Sequence, residues 1–128
     1  MRIQDCDTIW DVANPAEIEA ALRTRHGVGR HAFRLSHGPK RFPAINIMVI
    51  GELAYVHYFP VRRNPGFAST GSVPGLKSGE ETVCFPDDTN QPLGIVNEAV
   101  VRFSDALKAA QEFAISAAMP NCIQWSEF

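Results

Sequence analysis

Cysteine and long hydrophobic runs are scarce in this sequence. The three cysteines, Cys6, Cys84 and Cys122, lie far apart and form no C-x-x-C pair, which indicates a chain from a reducing compartment rather than a disulfide-stapled one. No segment approaches the roughly 18 apolar residues that a membrane span needs. The first residues of the chain carry Asp side chains in place of an apolar signal segment. We therefore expect a soluble, cytoplasmic protein with no membrane partner.

The motifs of metal and catalytic sites are missing too. Neither H-E-x-x-H nor C-x-x-C occurs, so no zinc site is indicated. Zinc-dependent base deaminases require H-x-E followed by P-C-x-x-C, and neither pattern is present, so the chain is not predicted to be such a deaminase. The glycine-serine segment at 71–75 does not match the G-x-S-x-G nucleophile turn. We expect no catalytic residue, no metal and no cofactor.

The isolated histidines and cysteines are predicted to be structural or surface residues. His26, His31 and His37 lie in polar surroundings and are predicted to be on the surface. His57 is predicted to be a hydrogen-bonded residue of a strand, because a lone histidine on a sheet is more often satisfied there than a ligand. The last two cysteines adjoin apolar residues, so we expect both to be small buried side chains.

Length and composition fit one globular domain. With 128 residues, of which 45% are hydrophobic and 20% charged, the chain is long enough for one hydrophobic core and too short for two. We therefore predict a single domain over residues 1–128.

Charge is unevenly distributed along the chain. Residues 1–64 carry nine Lys and Arg against six Asp and Glu, a net charge of +3, whereas residues 65–128 carry three against eight, a net charge of −5. The segment from Glu80 to Glu98 holds five carboxylates and no Lys or Arg, which argues against direct nucleic-acid binding there. Such a segment is typical of a solvated loop or of a surface for a basic partner.

Two patterns predict the first helix and the centre of a sheet. Asn14 before Pro15, with Glu17 three residues after Asn14, is typical of a helix start. Residues 44–59 form two β-rich runs around a Gly-Glu pair, which favours a hairpin with a type II′ turn. Both faces of its arms are apolar, so we expect the hairpin to lie inside the sheet.

The second half of the chain contains a strand and a second helix. Residues 65–79 are rich in Gly and Ser and predict a mobile connection or an irregular strand. One strand is predicted over 95–103, followed by an amphipathic helix with Ser104 as its cap and a final short strand over 122–125. Together, the elements predict an α+β fold: a mostly antiparallel β-sheet with two main helices packed against it.

The carboxyl-terminal third resembles a known family. The run from Glu98 to Trp125, with FSDALKAAQEF and then PNCIQW, resembles the first-described family of immunity proteins in bacterial polymorphic toxin systems, which typically pair with nucleic-acid deaminase toxins. The hairpin FPAINIMVIGELAYVHYFP, the glycine-rich stretch and the final WSE are similar to an immunity protein paired with a double-stranded-DNA cytosine deaminase toxin.

This resemblance implies a small α+β protein that binds a cognate toxin domain in the cytoplasm, blocks its active site and is not itself an enzyme. The family's glutamate and tryptophan fall on Glu98 and Trp125. A large aromatic residue after a helix usually packs against the sheet, which favours a structural role for Trp125.

Residues 64–91 are the candidate toxin-binding segment. A deaminase that grips nucleic acid needs a basic cleft, and carboxylates of an inhibitor can fill it. The candidates for this contact are four carboxylates and two apolar anchors, namely Glu80, Glu81, Asp87, Asp88, Phe67 and Phe85.

Two other functions remain open on the sequence alone. One is a nonenzymatic adaptor or secretion chaperone, which would bind a protein without inhibiting it. The other is a small-molecule enzyme or carrier, which would need a deep pocket lined by Tyr55, His57 and Tyr58.

Overall fold

The computed structural model of this chain describes residues 1–5, 7–24, 30–81, 83–86 and 91–128. The helices and strands in these ranges, in chain order, are β1 (Arg2–Gln4), β2 (Ile9–Asp11), α1 (Pro15–Leu22), β3 (Arg30–Ser36), β4 (Ala44–Ile50), β5 (Leu53–Phe59), β6 (Phe67–Thr70), β7 (Val83–Pro86), β8 (Pro92–Ile95), a 3₁₀ turn (Asn97–Ala99), β9 (Val100–Arg102), α2 (Phe103–Ser116) and β10 (Gln124–Glu127).

The strands form one large antiparallel sheet and a separate hairpin. The order across the large sheet is β10-β6-β5-β4-β3-β1-β2, with β9 also pairing with β5. The separate hairpin consists of β7 and β8. With two helices against this sheet, the predicted α+β class is confirmed.

Opposite faces of the large sheet pack against different elements. On one, which we call the helix face, Ile45, Ile47 and Val56 are fully buried in a cluster that also contains Phe113 of α2. On the other, which we call the hairpin face, Tyr55 packs in a second cluster that contains residues of β7. Because side chains alternate along a strand, β4 and β5 contribute to both clusters. This confirms that the central hairpin lies inside the sheet.

The first helix begins as its sequence predicts. The side-chain oxygen of Asn14 accepts a hydrogen bond from the backbone N–H of Glu17 at 2.9 Å, and the Glu17 carboxylate accepts one from the N–H of Ala13 at 2.7 Å. Pro15 occupies the first turn, where its missing N–H costs no hydrogen bond. The helix buries Ile18 and Leu22 against the helix face.

The start of the second helix differs from its prediction. The helix begins at Phe103, so Ser104 lies inside it and is not its cap. The backbone N–H of Phe103 instead donates to the carbonyl of Glu52 at 2.8 Å. The helix start has no side-chain cap, and its first N–H is satisfied by this hydrogen bond to the central hairpin. The predicted single strand over 95–103 is also wrong, because the 3₁₀ turn separates β8 from β9.

Along one edge, β5 pairs first with β9 and then with β6, and Ser69 joins the two at the point of change. Residues 53–55 of β5 pair with β9, whereas residues 57–58 pair with β6. Between them, the Val56 N–H donates to Ser69 Oγ at 3.0 Å, and the Ser69 hydroxyl donates to the carbonyl of Ala99 at 2.7 Å. Gly71 then runs so close to β9 that a Cβ there would overlap the Val100 carbonyl. Part of residues 65–79, predicted as a mobile connection or an irregular strand, is therefore the strand β6.

Predictions for individual histidines and cysteines have mixed outcomes. His31 is buried, with 3% of its surface exposed, and its Nε2 lies 2.6 Å from Asp5 Oδ2, so its predicted surface position is wrong. His37 is half-buried, and its Nε2 donates to the carbonyl of Phe113 at 2.8 Å. Cys122 is exposed rather than buried. His26, Cys6 and the side chain of Cys84 lie outside the described residues.

Candidate functional site

A groove of about 440 Å³ opens on the hairpin face, between the β7–β8 hairpin and strands β6 and β10. Its floor includes Tyr55 and Ala68, which belong to the second core cluster. Its sides carry two carboxylates and two apolar side chains, from Glu81, Glu98, Val96 and Phe128. We call this feature the acid-rimmed groove. Val96 is 43% exposed and Phe128 is 64% exposed, so both apolar side chains are available for contact.

Glu81 lies against strand β8. Its carboxylate sits over Gly94, where a Cβ would come within 2.8 Å of Glu81 Oε2. Glycine at position 94 therefore leaves room for the carboxylate beside the strand. Glu80, the preceding residue, is also exposed. Of the two predicted neighbours, Glu81 lines the groove, whereas Glu80 is exposed outside its lining.

Asn97 and Glu98 hold the loop that carries these carboxylates. The Asn97 N–H donates to the carbonyl of Glu80 at 2.8 Å, and its side-chain amide donates to the carbonyl of Lys77 at 2.9 Å. The Glu98 carboxylate accepts a hydrogen bond from the N–H of Gly79, and the Glu98 carbonyl accepts one from Gly71 at 2.7 Å. Glu98 therefore orders the loop and contributes a carboxylate to the groove at the same time.

An aromatic stack lies near β10, and one of its rings, Phe128, lines the groove. The His57 ring lies between Phe59 and Phe128, with ring centroids 4.1 Å and 5.0 Å away. His57 Nε2 donates to the carbonyl of Pro65 at 2.7 Å, so its Nδ1 accepts from the Tyr55 hydroxyl at 3.2 Å in the neutral ring. Burial lowers the pKa of His57, which favours the neutral ring. His57 is thus a satisfied strand residue, as predicted.

The predicted small-molecule pocket is not assembled. Tyr55 and His57 lie on the hairpin face, whereas Tyr58 lies on the helix face among core residues. A cavity lined by all three would have to cross the sheet, so the geometry does not support this alternative.

The two predicted apolar anchors do not lie on the groove. Phe67 is half-buried on the helix face, with its ring centroid 6.3 Å from that of Tyr58. Phe85 is fully buried against the hairpin face of the sheet, so its ring is part of the core. Asp87 and Asp88 lie outside the described residues. The exposed apolar groups beside the carboxylates are Val96 and Phe128 instead, and no periodicity in the sequence marks either of them.

Trp125 packs at the opposite end of the sheet from β2. Its indole N–H donates to the carbonyl of Pro120 at 2.8 Å, and its ring centroid is 6.2 Å from that of Tyr58. The residue is half-buried against the first core cluster. These contacts fit the structural role expected for the family's tryptophan.

The described residues contain neither a metal-binding cluster nor a membrane-crossing helix. No group of three His, Cys, Asp or Glu side chains there is arranged to hold a metal ion. None of the helices in the described ranges has the length and apolar character needed to cross a membrane.

A compact α+β domain with an acid-rimmed groove has the features of a small protein-binding protein. The family model described as Immunity protein Imm1 matches residues 7–127. Because this match spans nearly the whole sequence, the chain belongs to the Imm1 family of immunity proteins. Membership implies a cognate toxin as partner, and the resemblance to an immunity family is confirmed. A search of curated proteins finds no match to this chain.

Proposed function

We propose that this immunity protein inhibits a nucleic-acid deaminase toxin in the cytoplasm by occluding its active site. The observation that carries the proposal is the acid-rimmed groove, where Glu81 and Glu98 lie beside exposed Val96 and Phe128. The deaminase class of the toxin comes from the resemblance of the sequence, as does the location.

The charge of the groove suits this kind of target. An enzyme that acts on nucleic acid presents cations to the phosphate backbone. Carboxylates at Glu80, Glu81 and Glu98 would meet these cations and speed the encounter. The apolar neighbours would then be buried at the centre of the contact, where interfaces of roughly 1,200–2,000 Å² place most of their binding energy.

The loop beside the groove is already ordered in the unbound protein. Hydrogen bonds from Asn97 and to Glu98 hold residues 71–80 before any partner arrives. A preorganised surface loses less conformational entropy on binding than a mobile loop would. The backbone at Glu80 and the carboxylate of Glu98 are therefore held in place before binding.

One test is co-expression with the toxin domain encoded next to this chain, purification of the complex and a deaminase assay on single- and double-stranded DNA. We expect a stoichiometric complex with its activity abolished. A complex that remains fully active would contradict the proposal and support the adaptor alternative.

Charge-reversal variants test which surface of the protein contacts the toxin. The double variant Glu80→Lys with Glu81→Lys should slow association with the toxin by roughly tenfold at low salt, with a smaller effect at high salt because screening shortens the range of charges. The matched control Asp7→Lys with Glu52→Lys changes the net charge equally at exposed positions outside the groove. Equal rates for the two double variants would place the contact elsewhere.

A further inference from the structure

A second groove, of opposite charge, lies on the same face of the sheet. It has a volume of about 460 Å³ and lies over β1, β3 and β4. Its lining includes four cations, from Arg2, Arg34, Lys40 and Arg41. We call it the basic groove.

The lining of the basic groove holds more cations than carboxylates. Asp5 is the one carboxylate among the lining residues, and its side chain is 1% exposed and already bonded to His31 and to the N–H groups of Asp7 and Thr8. Within the described residues, neither Lys40 nor Arg41 forms an ion pair, and the Nε atom of Arg2 is buried without a hydrogen-bond partner. A buried donor of this kind is costly unless an acceptor reaches it.

The position of Arg34 is fixed by its neighbours. One of its nitrogens donates to the carbonyl of Arg41 at 2.9 Å and another lies 3.4 Å from Asn46 Oδ1, while its guanidinium lies over the Phe42 ring, 5.2 Å from the centroid. This guanidinium is therefore held in place in the basic groove before binding.

We propose that the basic groove receives an acidic segment of the cognate toxin polypeptide. The inference rests on the proposed function for the identity of the partner, and it adds a second contact of opposite charge. Carboxylates match guanidinium groups in geometry as well as in charge. A recess of this size fits a few side chains, whereas a nucleic-acid backbone needs a longer cationic track.

The two grooves can bind one partner together. The basic groove lies over β3 and β4, and the acid-rimmed groove lies over β5 and β6, on the same hairpin face. From β3 to β6 the distance is about 14 Å, since neighbouring strands are about 4.8 Å apart. A standard interface of about 800 Å² on each partner covers this span. Contacts of opposite sign at two points would fix the orientation of the toxin.

The test compares two double variants of equal net charge. Lys40→Glu with Arg41→Glu reverses two exposed cations of the basic groove, and Arg62→Glu with Lys108→Glu reverses two exposed cations outside both grooves. Binding of each purified protein to the toxin domain is measured by surface plasmon resonance, after circular dichroism has shown that it is folded. We expect the Kd of the first to rise at least about tenfold and the Kd of the second to stay within about threefold of wild type. The neutral pair Lys40→Gln with Arg41→Gln should give an intermediate Kd.

Three results would overturn the inference. One is equal Kd values for the two reversal variants while Glu80→Lys with Glu81→Lys still weakens binding, which leaves the proposed function standing. Another is that Lys40→Glu with Arg41→Glu binds the toxin like wild type but no longer binds a labelled DNA oligonucleotide. This result would make the groove a nucleic-acid site. The third is absence of any complex with wild type, which removes the proposed function as well.

Discussion

At the residue scale, the buried contact between Asp5 and His31 is the one most sensitive to a single substitution. The two side chains are 1% and 4% exposed and lie 2.6 Å apart. Burial raises the pKa of Asp5, but the hydrogen bonds from His31 and from the N–H groups of Asp7 and Thr8 outweigh it and leave the pKa lowered. The carboxylate is therefore preferred in the folded state.

This contact gives the first prediction. Asp5→Ala should lower the free energy of unfolding by about 3 kcal/mol at pH 7, because it leaves His31 buried without this acceptor. Since the folded pKa of Asp5 lies below its ordinary value of 3.8, the stabilisation by Asp5 is fully present above pH 3.8 and declines as the pH falls through the folded pKa. Urea unfolding of wild type and variant at several pH values measures both effects. A difference that stays constant down to pH 2 would contradict this assignment.

The second prediction concerns the thiol of Cys122. Partial desolvation and the neighbouring Glu112 carboxylate raise the pKa of Cys122 to about 11. The thiolate is the reactive form, so alkylation by iodoacetamide at pH 8 should be more than about tenfold slower than that of a model thiol.

Glu112→Gln provides the matched comparison, because it removes the negative charge and keeps a similar shape. The Cys122 peptide, followed by mass spectrometry, should then be alkylated faster. The same variant should loosen the turn after α2, since the Glu112 carboxylate accepts hydrogen bonds from the N–H groups of Asn121 and Cys122. An unchanged alkylation rate would show that Glu112 does not control the thiol.

At the element scale, the third prediction tests the exchange of neighbours along β5. Ser69→Ala leaves the Val56 N–H and the Ala99 carbonyl without the hydroxyl that joins them. We expect a loss of roughly 2 kcal/mol in the free energy of unfolding, because buried backbone groups without partners are costly. Ser72→Ala, at an exposed position, is the control. Equal denaturation midpoints would mean that another group satisfies both atoms.

Local patterns predict the elements that depend on local interactions. The helix start at Asn14 and Pro15 and the hairpin around Gly51 follow from capping and turn preferences, and both are confirmed. The start of α2 could not be predicted in the same way, because the Phe103 N–H is satisfied by the carbonyl of Glu52, which is distant in sequence.

The candidate site shows the same division between local and distant interactions. The carboxylates at Glu80 and Glu81 stand out in a segment without Lys or Arg. Their apolar neighbours Val96 and Phe128 are brought to the groove by strand pairing, which no local pattern reveals. The sequence predicts Phe85 as an apolar anchor, yet the β7–β8 hairpin packs on the sheet and its ring is fully buried.

At the scale of the whole molecule, the hairpin face carries a basic groove on one side and an acid-rimmed groove on the other. The uneven charge of the two halves of the sequence agrees with this arrangement. Long-range steering should therefore orient the protein as it approaches its toxin, and the association rate should fall steeply as salt is added.

The fourth prediction is that the two grooves act independently. The free-energy losses of Lys40→Glu with Arg41→Glu and of Glu80→Lys with Glu81→Lys should add in the quadruple variant to within about 0.5 kcal/mol, because substitutions that are far apart and would contact different parts of the toxin are usually additive. Isothermal titration with the toxin domain measures the cycle. A large coupling energy would mean that the toxin shifts to a different binding mode when one contact is lost.

Competition with substrate tests the central claim most directly. A catalytically inactive toxin domain, bound to a labelled DNA oligonucleotide, is titrated with this protein while fluorescence anisotropy is followed. If the protein occludes the active site, the oligonucleotide should be displaced stoichiometrically, and Glu80→Lys with Glu81→Lys should displace it only at higher concentration. A stable ternary complex, in which the toxin holds the protein and the oligonucleotide together, would contradict the claim.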